Sequence, residues 1–95
     1  MSADHTILHN RQASRFEVTV DGHLSVADYT LDGNRLLMTH TEVPTALAGR
    51  GIAGALVKAA LAWAEQDGLQ VVPLCSYVRG YMERHPETAR LRAPT

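Results

Sequence analysis

Apolar and polar residues alternate over positions 14–20: Phe16, Val18 and Val20 point one way, Arg15, Glu17 and Thr19 the other. A period of two marks a strand with one buried face. Asp21-Gly22 follows, a pair that tolerates the positive φ of a tight hairpin turn. Leu24 and Val26, continuing through Ala27 and Tyr29, predict a second strand, and Asp32-Gly33-Asn34 a second turn. Residues 35–43 predict a third strand, stopped by Pro44, which has no N–H for a ladder. Residues 1–12 are polar and predict a short edge segment at most.

After a connection of small residues the period changes to that of a helix. Ile52, Leu56, Val57, Ala60, Leu61 and Ala64 form one apolar stripe, so a helix is expected from near Gly51 to about Asp67, with Gly68 just past its end. Residues 69–74 are almost wholly apolar, as in an interior parallel strand. A second helix is expected from Ser76 or Tyr77 to about Arg84, closed by His85-Pro86, with residues 88–95 a frayed tail or a short last turn. The order is β-β-β-α-β-α. This predicts an α/β (α+β) fold with a mixed sheet of about four strands. The last two strands should be parallel neighbours joined by a right-handed crossover.

The chain has 95 residues, and we expect one domain spanning 1–95. Nine Lys and Arg oppose ten Asp and Glu, giving a net charge of −1. The basic residues never form a run, so neither nucleic acid nor membrane is an expected partner. The single cysteine, Cys75, rules out an intrachain disulfide and favours a reducing, cytoplasmic setting. No apolar run reaches ~18 residues, and Met1-Ser2-Ala3-Asp4-His5 lacks the pattern of a secretory leader. His5, His9, His23 and His85 show no ligand spacing, so no metal is expected.

The most informative segment is Gly49-Arg50-Gly51-Ile52-Ala53-Gly54, between the third strand and the first helix. Glycines let main chain approach an anion closely, and free amides of a first helical turn carry partial positive charge. A phosphate or diphosphate is the expected ligand, with Arg50 adding a full charge or pointing to solvent. The literal match to the dinucleotide pattern G-x-G-x-x-G lacks its acidic residue after the next strand, which ends Val72-Pro73-Leu74-Cys75. No Gly-Lys-Ser/Thr follows either, which excludes the other common phosphate loop.

Strand, glycine-rich turn, long helix, strand and helix together resemble the acetyl-coenzyme A half of GNAT N-acetyltransferases. Their signature, Arg/Gln-x-x-Gly-x-Gly/Ala, is met by Ala48-Gly49-Arg50-Gly51-Ile52-Ala53 from its second position onward. Ala48 in first place removes one polar partner for a diphosphate. Thr39-His40-Thr41-Glu42-Val43-Pro44, Val72-Pro73-Leu74-Cys75-Ser76-Tyr77 and His85-Pro86-Glu87 are similar to the short-chain YjdJ-type subfamily. The resemblance covers about residues 14–87. It implies a minimal GNAT fold that binds acetyl-CoA and transfers the acetyl group to an amine. It also implies a V-shaped slot where the last two strands part, with main-chain groups of Thr41, Glu42 and Val43 facing the pantetheine arm. The elements that shape the acceptor pocket in longer family members have no counterpart here. The acceptor site is then open, small, or completed by a partner protein or a second copy.

The candidate chemistry gathers at three places. Cys75 lies where an apolar strand meets a helix N-terminus, which favours the thiolate. It is a nucleophile, a contact for the acyl group, or an inert buried thiol. His40 and Glu42 are two apart on one strand and so share a face, with Thr39 and Thr41 on the other. Each is a candidate base or a hydrogen-bonded strand residue. Tyr77 and Tyr81 share a helix face. The resemblance implies that a hydroxyl there protonates the leaving thiolate, while packing with a polar tip is the plain alternative. Cys75, Tyr81 and residues 49–54 (Gly49, Arg50, Gly51, Ile52, Ala53 and Gly54) complete the expected coenzyme site. Arg79 and Arg84 meet a phosphate or solvent. Two rival readings remain open: a coenzyme A-binding module without turnover that acts with a partner protein, and a nucleotide-phosphate binder.

Overall fold

The computed structural model describes residues 6–94. The missing leader pattern read from residues 1–5, His5 and the last residue of the expected tail lie outside them. Among the described residues are five strands: β1 (Leu8–Asn10), β2 (Arg15–Val20), β3 (His23–Asp32), β4 (Arg35–Glu42) and β5 (Gln70–Pro73). They form one sheet in the order β1-β2-β3-β4-β5, antiparallel except for the parallel β4/β5 pair. Helix α1 (Ile52–Asp67) joins β4 to β5, and α2 (Ser76–Arg84) follows. Short 3-10 turns occupy Thr45–Leu47 and Pro86–Leu91.

The sheet has one strand more than the sequence predicts. β1 is three residues long, too short to show a period of two, and its place is fixed by pairing with β2. Its anchor is His9, stacked on Phe16 with ring centroids 4.1 Å apart and edge-on to Trp63 at 4.4 Å. The His9 ring also meets the Tyr29 hydroxyl through Nε2 at 2.7 Å. Burial, with the Arg11 charge, holds His9 below its ordinary 6.5; Asp67 opposes them.

α1 buries its predicted stripe against one face of the sheet. Leu56, Val57, Ala60 and Ala64 are fully enclosed with Phe16, Ala27, Leu36, Met38 and Val71. Trp63 joins them and donates from Nε1 to Asp67 at 2.9 Å, one turn on. Among the described residues no helix covers the other face: Arg15, Thr19, Leu24, Arg35 and Val72 alternate with buried neighbours and stay wholly or partly exposed.

Two further differences concern the C-terminal part. β5 lies at the sheet's edge rather than in its interior. It reads as apolar because the residues that follow α2 return along that edge: Arg92 bridges Val71, and Ala93 N–H donates to Val71 C=O at 2.8 Å. Of the two expectations for residues 88–95 the short turn is found, within the 3-10 segment Pro86–Leu91, and the chain is tied down through residue 93 with Leu91 packed against the core.

Candidate functional site

β4 and β5 run together only from the Arg35/Gln70 pair to the Met38/Pro73 pair. Pro73 brings no N–H, and the ladder stops there. The next two amides, of Leu74 and Cys75, both donate to Met38 C=O, at 3.1 and 3.0 Å, and the chain turns into α2. β4 continues to Glu42 paired with β3 alone. The edge of β4 at residues 39–42 that faces away from β3 thus has no strand beside it among the described residues.

A bulge in β4 sorts the side chains of this segment. Tyr29 faces Met38 and Asp28 faces His40, so Thr39 is an extra residue without a partner. The bulge reverses the alternation beyond it. Thr41 comes opposite the buried Ala27, on the α1 side of the sheet, while His40 and Glu42 come opposite Asp28 and Val26 on the open side. Thr41 Oγ1 accepts a hydrogen bond from Cys75 Sγ at 3.6 Å. His40 Nε2 lies 3.2 Å from Glu42 Oε1, and both side chains are exposed.

Cys75 is the residue before α2, in extended conformation, half-buried against the core. Burial works against its thiolate. The Val78 N–H, the Thr41 hydroxyl and the Tyr77 and Thr41 amides outweigh it, so the thiol is held below its ordinary 9.0. None of the α2 contacts is a full capping bond, yet the amides lie near enough to favour the charge.

The glycine-rich turn precedes α1. Gly49 and Gly51 have φ of 81° and 75°, and a Cβ at either would meet nothing within 4 Å. Glycine is thus required by the left-handed backbone rather than by space. Ala55 N–H makes the first helical bond, to Gly51 C=O at 3.1 Å. Among the described residues no carbonyl or side chain accepts from the amides of residues 49–54. The first turn of α1 holds no acidic side chain that would satisfy its dipole from within. Arg50 donates to Asp21 at 2.8 Å, tying this turn to the β2–β3 hairpin at the surface.

α2 lays two tyrosines against that turn. A Cβ on Gly54 would lie 3.5 Å from Tyr77 Oη and 3.8 Å from Tyr81. Burial, reinforced by Glu87 and Tyr77, pushes the Tyr81 hydroxyl above its ordinary 10.0 against the pull of Arg84, so it stays a proton donor. Arg84 lies over the Tyr77 ring, 5.7 Å from its centroid. Arg79 faces away from these tyrosines and donates to the carbonyls of Pro73 and Leu74 at 3.2 and 2.8 Å.

The structure therefore brings Cys75, Thr41 and the α2 tyrosines to one side of the parted strands, and His40 with Glu42 to the other. From the sequence, Thr41 is expected to contribute only its main chain. Its side-chain role depends on the bulge, for which Thr39 gives no local signal. Among the described residues no three His, Cys, Asp or Glu side chains gather as a metal ion would need. No described helix is long and apolar enough to cross a membrane.

A mixed sheet whose parallel pair splits beside a helix start with free amides is the frame of one acetyltransferase class, and comparison with known proteins agrees. The GCN5-related N-acetyl-transferase family matches residues 15–91. The chain belongs to that family. It is similar to protein NATD1 of Mus musculus, 38% identical over 81 residues that span 82% of this chain and 74% of that one. Protein NATD1 of Homo sapiens is 37% identical over 81 residues, 82% of this chain and 72% of that one. In fold it resembles a GCN5-like protein from Staphylococcus aureus solved by NMR. The TM-score is 0.76 at 22% identity, over 98% of this chain and 92% of that one.

Proposed function

We propose that the chain binds acetyl-CoA and transfers its acetyl group to an amine. The observation that carries this is the pairing of unbonded amides at residues 49–54 with the parting of β4 and β5 after Met38 and Pro73. The amides and the α1 dipole would hold the diphosphate. Main-chain groups of Thr41, Glu42 and Val43 on the freed edge of β4 would pair with the pantetheine arm like an added strand.

The amine nitrogen forms a bond to the thioester carbonyl carbon, the carbon–sulfur bond breaks, and the departing thiolate takes up a proton as the amine gives one up. Tyr81, kept protonated, or Tyr77 beside it is the donor to that thiolate. His40, oriented by Glu42, is the acceptor of the amine's proton from the open side of the sheet. The covalent alternative runs in two steps: Cys75 Sγ bonds to the carbonyl carbon as the coenzyme's carbon–sulfur bond breaks and its thiolate takes up a proton, and the amine then attacks the Cys75 thioester and displaces Sγ.

Calorimetric titration with coenzyme A and thiol release with a panel of amines test the whole reading. Micromolar binding with acetyl-dependent release supports it. A dinucleotide bound as tightly as coenzyme A overturns it, and binding without release leaves only a coenzyme-binding module. Mass spectrometry of the chain incubated with acetyl-CoA alone tests the covalent route. Acetyl on Cys75 is expected, and an unchanged rate in Cys75→Ala would leave direct attack by the amine.

A further inference from the structure

On the open face of the sheet a cavity of about 410 Å³ runs beside β5. Its floor is Val72, Pro73 and Leu74, and three arginines rim it: Arg35 from β4, Arg79 from α2 and Arg92 from the returning segment. Arg35 and Val72 are neighbours of the buried Leu36 and Val71, which places them on the face that carries His40 and Glu42. Tyr77 and Tyr81 point from α2 toward Gly54, and Arg79 lies on the other side of that helix. The cavity and the glycine-rich turn are thus separated by α2 and the sheet.

The charge balance of this cavity is opposite to that of the chain. Three of the nine basic residues line it, and none of the ten acidic ones does. Among the described residues neither Arg35 nor Arg92 has a carboxylate within ion-pair distance, whereas Arg15, Arg50 and Arg90 each have one. Arg79 spends both N–H bonds of one terminal nitrogen on the Pro73 and Leu74 carbonyls. That fixes its plane and leaves its other three donors free, as planar recognition of an oxyanion requires. Like charges held together repel, and an anion between them removes the repulsion.

We propose that this cavity binds the anionic group of the acetyl acceptor, so that the acceptor is a small amine carrying a carboxylate or a phosphate. The assignment rests on the transferase reading above and adds the substrate class to it. The cavity floor ends at Leu74, next to Cys75, and shares its face with His40. An amine anchored by its anion at the arginines would run along β5 toward the point where the strands part.

The test has a binding part and a kinetic part. In the first, inorganic phosphate is titrated into the isotope-labelled chain without acetyl-CoA, and the Leu74 and Ala93 amide signals are followed; saturable shifts are expected. In the second, β-alanine is compared with β-alaninamide, and phosphoethanolamine with ethanolamine, as acceptors. The anionic member of at least one pair should show about tenfold or higher kcat/KM, as a charge-assisted bidentate contact implies, and the larger ratio tells carboxylate from phosphate. The double variant R35Q/R92Q, checked for an unchanged urea midpoint, should lose that preference and the phosphate shifts. Arg90→Gln, whose partner is Glu65 outside the cavity, should keep both. Ratios near one in both pairs overturn the proposal, as does an R35Q/R92Q chain that retains the preference. Saturable shifts with no release from any amine would uphold the anion site and sink the transferase reading instead.

Discussion

The two ends of the sheet use the same backbone chemistry to opposite effect. From β1 to β3 each strand is paired along its length, and the rings of His9, Phe16, Tyr29 and Trp63 close the space between sheet and helix. At the β4/β5 end pairing stops after four residues, a bulge reverses the side-chain phase, and the turn before α1 keeps its amides unbonded. Backbone groups that meet solvent instead of a partner strand add little to stability, and a small domain has little margin. The closed end lets the open end exist: apolar contacts there supply stability that the split strands do not.

That division predicts that stability and binding can be broken separately. Trp63→Ala removes the largest side chain of the closed end and should cost about 3–5 kcal/mol in urea unfolding, a large fraction of what a domain of this size has. Coenzyme affinity of the surviving folded fraction should hold. Gly51→Asp does the reverse. Asp tolerates the left-handed backbone of position 51 better than most residues, so the loss of stability should be about 1 kcal/mol, well below that of Trp63→Ala. A carboxylate against the diphosphate should weaken coenzyme A binding by about 2 kcal/mol, roughly thirtyfold by calorimetry. If both variants lost stability and affinity together, the two ends would not be independent.

Smaller effects sharpen the same contrast. Ser25 is fully buried with its hydroxyl unpaired among the described residues, so Ser25→Ala should stabilise by about 1 kcal/mol. At the closed end, His9 is held neutral by burial and by Arg11. As pH falls the unfolded chain takes up its proton first. The stability from His9 is therefore complete above 6.5 and erodes as pH drops toward the lower folded value. Unfolding midpoints between pH 7.5 and 5 should decline, and less so in His9→Phe. At the open end, the rate of Cys75 alkylation should rise through a midpoint below the 9.0 of an ordinary thiol. Thr41→Val should move that midpoint upward by removing one of its supports.

Much of the frame is legible in one dimension. The alternation of Phe16 and Val18, the stripe from Ile52 to Ala64, and Pro44 just past the end of β4 each act through a few neighbouring residues. The glycines at 49 and 51 are legible for the same reason, because their role is conformational and local. β1 is legible only as a short edge segment, since three residues carry no period and His9 finds its partners at positions 16, 29 and 63. The bulge at Thr39 was not legible either, because a register shift belongs to two strands at once.

The sequence by itself determined where β2 to β5 and the two helices form, and that one turn would present bare amides, since propensity, periodicity and glycine backbone freedom are local properties. Only the tertiary structure decided which face each side chain of β4 takes, that Thr41 rather than His40 meets Cys75, and that arginines at 35, 79 and 92 surround one cavity. Register and long-range packing set those distances, and neither is written in the spacing of residues along the chain.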